Sequence, residues 1–544
     1  MPTFFDVLRA CFEQAPDRVT IHLAQSRQED VAITYRDLLR GAAGFARVLA
    51  AHDIRQGDVV VLIQQHGEAL IHGFWGAVLY GAVPSILPPL TEKLLPDRYR
   101  KDLAALIGLT KPRAIVTYSA FRGEVEQAIH MAQRAGETRC IVVDGVASIE
   151  PDFAALGGST CSEGDIALLQ HSSGSTGLQK GVALSHRAIF NQLNAYAPAI
   201  ELSDSDVIVS WLPLYHDMGL IASFLLPVLL RTPLVLMSPF DWVRAPARLM
   251  QLTSKYKGTL TWLPNFAYNF CATRIRERDM EGVDLSSLRA VINCSEPVYH
   301  SSHAAFLDKF RRWGLQERAL ATCYAMAENT FAVTQSAIGQ PIARNEGGGI
   351  GNAGQVSSGR PLSNVQLRIL DANHVALPEN TIGEIALKSD CMLSGYYHRL
   401  DVTAQAFHDG WYLTGDLGYV LHGELFVTGR KKDLIIVGGK NVYPQDLEHL
   451  AGEVDGVRAG RVAAFGVFNE SAGTEDVVVV AEAESDDEDV RESVAEAVRM
   501  HVTRNSDVAV RQVVLVDSRW LIKTSSGKVA RSANREKFLS EMAE

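Results

Sequence analysis

The strongest constraint on the fold is an alternation of helix-like and strand-like stretches running from residue 34 to about residue 292. Residues 35–52 have helical spacing, Val59-Val60-Val61-Leu62-Ile63 is strand-like, and residues 68–80 are helical again. Residues 114–117 and 141–143 are further strand candidates. Ser185 is placed to cap a helix over 186–196, and strands are expected at 207–211, 234–236, 258–262 and 290–292. Such alternation predicts βα units around a parallel sheet, an α/β class. The most apolar segment, 219–237, is broken by Pro227, Arg231 and Pro233, so it predicts buried core rather than a membrane span.

Near Gly359 the character changes. Short strands at 365–370 and 383–387, separated by turn residues, predict a β-rich subdomain over about 359–430. A polar hinge follows at 431–433, then an α+β C-terminal domain over 434–544. Residues 1–430 are thus expected to form one large N-terminal domain. The acidic run Asp486-Asp487-Glu488-Asp489 suits the N-terminus of a helix over 490–502.

Within the first series, the apolar run 166–169 predicts a buried strand that breaks into Ser172-Ser173-Gly174-Ser175-Thr176-Gly177, with Lys180-Gly181 close behind. Such a loop can turn several backbone N–H groups toward one anion, with hydroxyls as extra donors and Lys180 as a point charge. It is not a Walker loop, because Gly181 rather than Ser or Thr follows the lysine. Alone, a loop of this kind is more often a plain surface connection.

Five other places hold polar residues where core or simple turns would be the default. His216 follows a predicted strand in Pro213-Leu214-Tyr215-His216-Asp217-Met218-Gly219. Ser295-Glu296-Pro297 follows another strand end, where open α/β sheets collect ligands. Tyr324 and Glu328 combine a ring able to cover a base with a carboxylate able to hold Mg2+. Asp416, in Thr414-Gly415-Asp416, could bridge two ribose hydroxyls. Lys528 sits on a Gly-bearing loop near the C-terminus, Thr524-Ser525-Ser526-Gly527-Lys528.

Together with the serine/glycine loop and Gly429-Arg430-Lys431-Lys432-Asp433, these stretches occur in the order found in adenylate-forming (acyl-activating) enzymes. The chain resembles that superfamily over nearly its whole length. It looks most like the fatty-acyl-AMP ligases and acyl-CoA ligases, notably in Pro213 to Leu220, in Pro264-Asn265-Phe266-Ala267-Tyr268 and in Asn441-Val442-Tyr443-Pro444. The resemblance implies a two-step reaction. A carboxylic acid and ATP give acyl-AMP and pyrophosphate, and a phosphopantetheine thiol, on CoA or an acyl carrier protein, then takes the acyl group.

By the same resemblance, Ser173, Gly174, Ser175, Thr176, Gly177 and Lys180 would hold the β- and γ-phosphates, and Glu328 would ligate Mg2+. Ser295, Glu296, Pro297 and Tyr324 would enclose the adenine, while Asp416 and Arg430 would bind the ribose. Lys528 would bridge the carboxylate and the α-phosphate, with Lys432 at the hinge about which the small domain turns. His216 would stand by the acyl entrance and the thiol path. The pair Gly438-Gly439 would admit a narrow pantetheine arm, which favours a completed thioester with CoA as one acceptor. His171, Cys294, Ser295 and Ala325 depart from the usual residues, and each is expected to add bulk or polarity beside the nucleotide. Two alternatives are an enzyme specialised for thioester formation from preformed acyl-AMP, and a non-catalytic nucleotide-binding relative.

A formal net charge of −11 argues against nucleic acid as a partner, because no basic stripe is available to displace counterions. The seven cysteines form no CxxC pair, and the opening residues show no basic stretch followed by an apolar core. A reducing, cytoplasmic location is the expectation.

Overall fold

The computed structural model describes all residues except 27, 91–95, 173–179, 346–354, 438–439, 470–473, 507, 525–526 and 543–544. The predicted alternation builds an α/β fold with two parallel sheets sharing one core. In the larger sheet, six strands run parallel in the order Leu320–Ala325, Ala290–Cys294, Leu260–Leu263, Ile208–Ser210, Leu234–Met237 and Val19–Ala24. Antiparallel strands close both edges, Ala332–Gln335 with Arg360–Pro361 on one side and Val31–Thr34 on the other. The smaller sheet is all parallel, ordered Val83–Ile86, Val59–Ile63, Ala114–Thr117 and Arg139–Val142.

Every residue of Val59–Ile63 is buried, which is why the strand is a continuous apolar run. Its alternate side chains serve two cores. Val60 and Leu62 join Leu39, Phe74 and Leu234 in the large core between the sheets. Val59, Val61 and Ile63 face Leu103, Phe121 and Val125 on the other side. Helix Tyr35–Ala51 starts where Thr34 and Asp37 cap each other's backbone N–H groups. The apolar segment after His216 is buried as expected, opening as a π-helix, Met218–Leu225. A side chain at Gly219 would come within 2.2 Å of the Pro213 carbonyl oxygen, so only glycine fits that turn.

One strand departs from the parallel scheme. Ile166–Ser172 joins neither parallel sheet; it pairs antiparallel with Lys180–Ser185, and Gly395–Tyr396 adds to the far side. A connection this short cannot make a parallel crossover, so the chain must fold back on itself.

The β-rich subdomain is an antiparallel sheet of Val365–Leu370, Gly383–Ser389, Trp411–Leu421, Phe407–His408 and Glu424–Arg430. A single 3-10 turn, Lys431–Asp433, then leads into the tail. From Ile435 onward the chain builds cores of its own on both faces of a three-stranded sheet, Val457–Asn469, Thr474–Ala483 and Val510–Val516. Asp487 caps helix Glu488–Asn505 by accepting from Val490 N at 3.2 Å, so the acidic run does serve a helix start. Among the described residues no helix is long and apolar enough to cross a membrane.

Candidate active site

The polar stretches singled out in the sequence converge where the ends of the large sheet meet the antiparallel hairpin, the β-rich subdomain and the tail. Residues Ser173, Gly174, Ser175, Thr176 and Gly177, expected to cradle phosphate, lie outside the described residues, as do Gly438 and Gly439. Lys180 is described. It opens the second hairpin strand, and its Nζ stands 4.8 Å from the centre of the Tyr396 ring. The Tyr396 hydroxyl donates to Glu328 Oε1 at 2.9 Å and shares a hydrogen bond of equal length with Tyr412.

Glu328 sits in a short turn, Ala327–Asn329, locked by buried contacts. Its own carbonyl accepts from Leu393 N, Asn329 Nδ2 donates to Ala332 O, and Thr330 Oγ1 donates to Cys391 O. Burial raises the Glu328 pKa above the usual carboxylate value, and the Asp217 charge adds to the rise while Lys180 opposes it. A carboxylate held in this way, with a lysine nearby and no cation bonded to it directly among the described residues, is chemically suited to a divalent ion.

Ser295 leaves strand Ala290–Cys294 in a left-handed conformation, with φ at 72°. That turn aims Glu296 back at the neighbouring helix, Asn265–Arg274, where Oε2 accepts from Phe266 N at 2.9 Å. The helix has no cap of its own, since Pro264 precedes it, and Glu296 supplies the missing acceptor at its positive end. Pro297 continues the same turn. Tyr324, at the end of the adjacent strand, donates to Asp416 Oδ2 at 2.6 Å. Asp416 in turn pairs across the β-rich sheet with Arg430, Nε to Oδ1 at 3.3 Å. Asp416 raises the Arg430 pKa further. Gly415, at φ 71°, makes the bulge that turns Asp416 toward Tyr324.

His216 Nδ1 lies 2.7 Å from Asp217 Oδ1. Met218 N also reaches His216 Nδ1, at 3.3 Å, so the carboxylate and the main chain together orient the ring. Burial pushes the Asp217 pKa up, but His216 and Lys528 outweigh it and hold the group below its ordinary value. Lys528 comes in from the tail on a tight turn in which Thr524 N donates to the Lys528 carbonyl at 2.8 Å and Thr524 Oγ1 accepts from Lys528 N at 3.1 Å. Burial and Arg430 depress the Lys528 pKa, while Glu296 and Asp217 work the other way. Its ammonium is therefore in the same electrostatic field as the residues at the strand ends.

The structure corrects several expectations. His171 adds nothing beside the nucleotide residues: it is buried, with Nε2 2.6 Å from Ser85 Oγ on the smaller sheet, and burial lowers its pKa to about 4. Cys294 is fully buried and in register with Cys323 on the next strand, so it packs in the core. Among the apolar residues around the site, for which core and acyl pocket are equally open from sequence, Trp262 and Tyr268 are core, with Trp262 Nε1 donating to the Tyr196 hydroxyl and Tyr268 OH to Val291 O. Trp211 is buried as well, whereas Phe266 stays partly exposed near the site. Phe266 stands edge-on to the stacked pair Trp211–Trp242, whose ring centres are 3.6 Å apart, and a side chain at Gly527 would meet its ring at 4.0 Å.

Sequence reasoning missed Tyr396, Tyr412 and the orienting role of Asp217. Asp217 had a local signal, its adjacency to His216. Tyr396 had none, because 68 residues separate it from Glu328.

Comparison with known proteins gives the family. The family model for AMP-binding enzymes matches residues 8–397. The long-chain-fatty-acid–AMP ligase FadD28 of Mycobacterium bovis is 31% identical over 586 residues, covering 98% of this chain and 97% of that protein. The medium-chain-fatty-acid–[acyl-carrier-protein] ligase JamA of Moorena producens is 29% identical over 575 residues, covering 99% and 95%. A solved structure from work on fatty acyl-adenylate ligases of E. coli and L. pneumophila superposes with a TM-score of 0.88 at 27% identity, over 100% of this chain and 99% of that one. The chain belongs to the AMP-binding, adenylate-forming enzyme family.

Proposed function

We propose that this protein is an acyl-activating ligase that joins a carboxylic acid to ATP as acyl-AMP, releasing pyrophosphate, and then passes the acyl group to a phosphopantetheine thiol. The observation that carries the reading is that the tail brings the turn bearing Lys528 to Phe266, on the helix that Glu296 caps, where Glu296, Asp217 and Arg430 all act on the lysine's charge. A pure nucleotide binder has no need of such a lysine. Acyl-AMP formation does, because its barrier lies in bringing two anions together, and a fixed cation neutralises the charge at the transition state.

In this reading Lys528 bridges the carboxylate and the α-phosphate. Ser173, Gly174, Ser175, Thr176, Gly177 and Lys180 cradle the outer phosphates, and Glu328 would hold Mg2+, which supplies further neutralisation. Ser295, Glu296, Pro297 and Tyr324 form the adenine enclosure. Asp416 has spare lone pairs after accepting from Tyr324 and pairing with Arg430, enough for ribose hydroxyls. His216, oriented by Asp217, is placed to accept the thiol proton as the thioester forms and AMP leaves. For that second step the tail would turn about residues 431–433 and carry Lys528 away.

Phe266, only partly buried and close to the turn that carries Lys528, supports an apolar acid. The names of FadD28 and JamA, a fatty-acid–AMP ligase and a fatty-acid–[acyl-carrier-protein] ligase, point the same way, and that of JamA favours a carrier protein as acceptor. The test measures pyrophosphate release over a panel of carboxylic acids, and separately thioester formation from supplied acyl-AMP with CoA and with a holo acyl carrier protein. Pyrophosphate release with some apolar acid and a thioester with one of the acceptors are expected. No pyrophosphate with any acid, beside normal transfer from acyl-AMP, would reassign the protein to the second step alone. Failure of both reactions would leave only nucleotide binding.

A further inference from the structure

Tyr299 lies two residues beyond Pro297, just before helix His300–Phe310, and so belongs to the nucleotide side of the molecule. Its ring nevertheless packs against the tail. It stacks on the imidazole of His449 with centres 4.3 Å apart and planes 4° from parallel, and its hydroxyl donates to the Gln445 carbonyl at 3.2 Å. Asn265 Oδ1 accepts from Tyr299 N at 3.3 Å, anchoring the tyrosine to the helix that Glu296 caps.

Gln445 and His449 are four residues apart on helix Pro444–Gly452 and share the face turned toward Tyr299. Gln445 is itself buried, and its Nε2 donates to Thr428 O in the β-rich subdomain. The neighbouring Glu448 takes both arms of the Arg531 guanidinium, Nε to Oε1 and Nη2 to Oε2, each at 2.7 Å. Arg531 also donates to Asp433 at the hinge, at 2.8 Å, and stands three residues beyond Lys528. Both carboxylates raise the Arg531 pKa despite its burial. A bidentate pair of this kind holds direction as well as distance. A continuous chain of contacts therefore runs from the turn beside Glu296, through Tyr299, His449, Glu448 and Arg531, to the segment that carries Lys528.

We propose that Tyr299 and His449 form an interdomain latch that positions Lys528 for acyl-AMP formation and must part before thioester formation. The inference rests on the reading of Lys528 given above. Tyr299 and His449 are positioning residues, acting on the reaction only through Lys528. Their loss lowers the share of molecules with the lysine in place, and so slows the first step without weakening the second.

The experiment compares the two half-reactions in the full-length protein, using whichever acid gives most pyrophosphate and, for the second step, its acyl-AMP with pantetheine as acceptor. Tyr299→Ala and His449→Ala should each slow pyrophosphate release about tenfold, the scale of one buried aromatic stack with its hydrogen bond. Thioester formation should stay at or above the wild-type rate. Tyr299→Phe, which keeps the stack, should recover most of the first step. The double variant should be no slower than either single one, since the two rings act as one unit. Equal losses in both half-reactions, or additive losses in the double variant, would overturn the latch. Lys528→Ala separates the two ideas. If it still adenylates at the wild-type rate, the underlying reading fails; if it does not and Tyr299→Ala and His449→Ala do, the latch alone fails.

Discussion

The Tyr324 hydroxyl donates to Asp416 Oδ2 at 2.6 Å and so ties the end of the large parallel sheet to the β-rich subdomain. The aspartate raises the tyrosine's pKa beyond the rise that burial alone causes, which keeps the phenol a donor. The bond orients the carboxylate proposed to meet the ribose while leaving it lone pairs to spare.

Tyr324→Phe keeps the ring over the proposed base site and removes only this bond. A hydrogen bond to a charged group contributes about 1.5–3 kcal/mol, so AMP binding should weaken about tenfold as Asp416 loses its orientation. Calorimetric titration with AMP measures it. Unchanged affinity would show that Arg430 alone suffices to hold the carboxylate.

Lys528→Ala should lower acyl-AMP formation by about 10²–10³-fold, the usual cost of removing one fixed charge from a transition state. Transfer from supplied acyl-AMP should persist, because the lysine has no part in it. Parallel assays of pyrophosphate release and thioester formation read the two effects.

Glu328→Gln retains an oxygen for the Tyr396 hydroxyl but loses the charge. The Mg2+ concentration needed for half-maximal adenylation should rise about tenfold or more, since Mg2+ prefers carboxylate ligands. AMP binding without metal should change little. Equal loss in both would mark the glutamate as a support for the hairpin.

Burial lowers the pKa values of His171, His186 and His303 to about 4 from 6.5. Between those values the folded protein binds fewer protons than the unfolded chain, so stability rises with pH across that window. It is fully present above pH 6.5 and is lost as pH falls toward 4. Urea unfolding at a series of pH values should show this slope. His171→Gln, which can still bond Ser85 without titrating, should make it shallower.

Much of this molecule is legible locally. Uninterrupted apolar runs such as 59–63 become strands buried on both faces, Thr34, Ser185 and Asp487 start helices where expected, and the apolar stretch after His216 is core. These outcomes depend on side-chain periodicity and on hydrogen bonds between residues three apart, which any chain carries in its order. The ordered motifs likewise single out Glu328, Asp416, Arg430 and Lys528, the residues on which the proposed function rests. What only the tertiary structure decided is which groups those residues meet. Glu296 caps a helix that begins 31 residues earlier in the chain. His171 turns away to Ser85, Tyr396 reaches Glu328 across 68 residues, and His449 of the tail stacks on Tyr299. Each of these contacts is set by strand register and by the packing of one sheet or domain on another, and no local spacing encodes that.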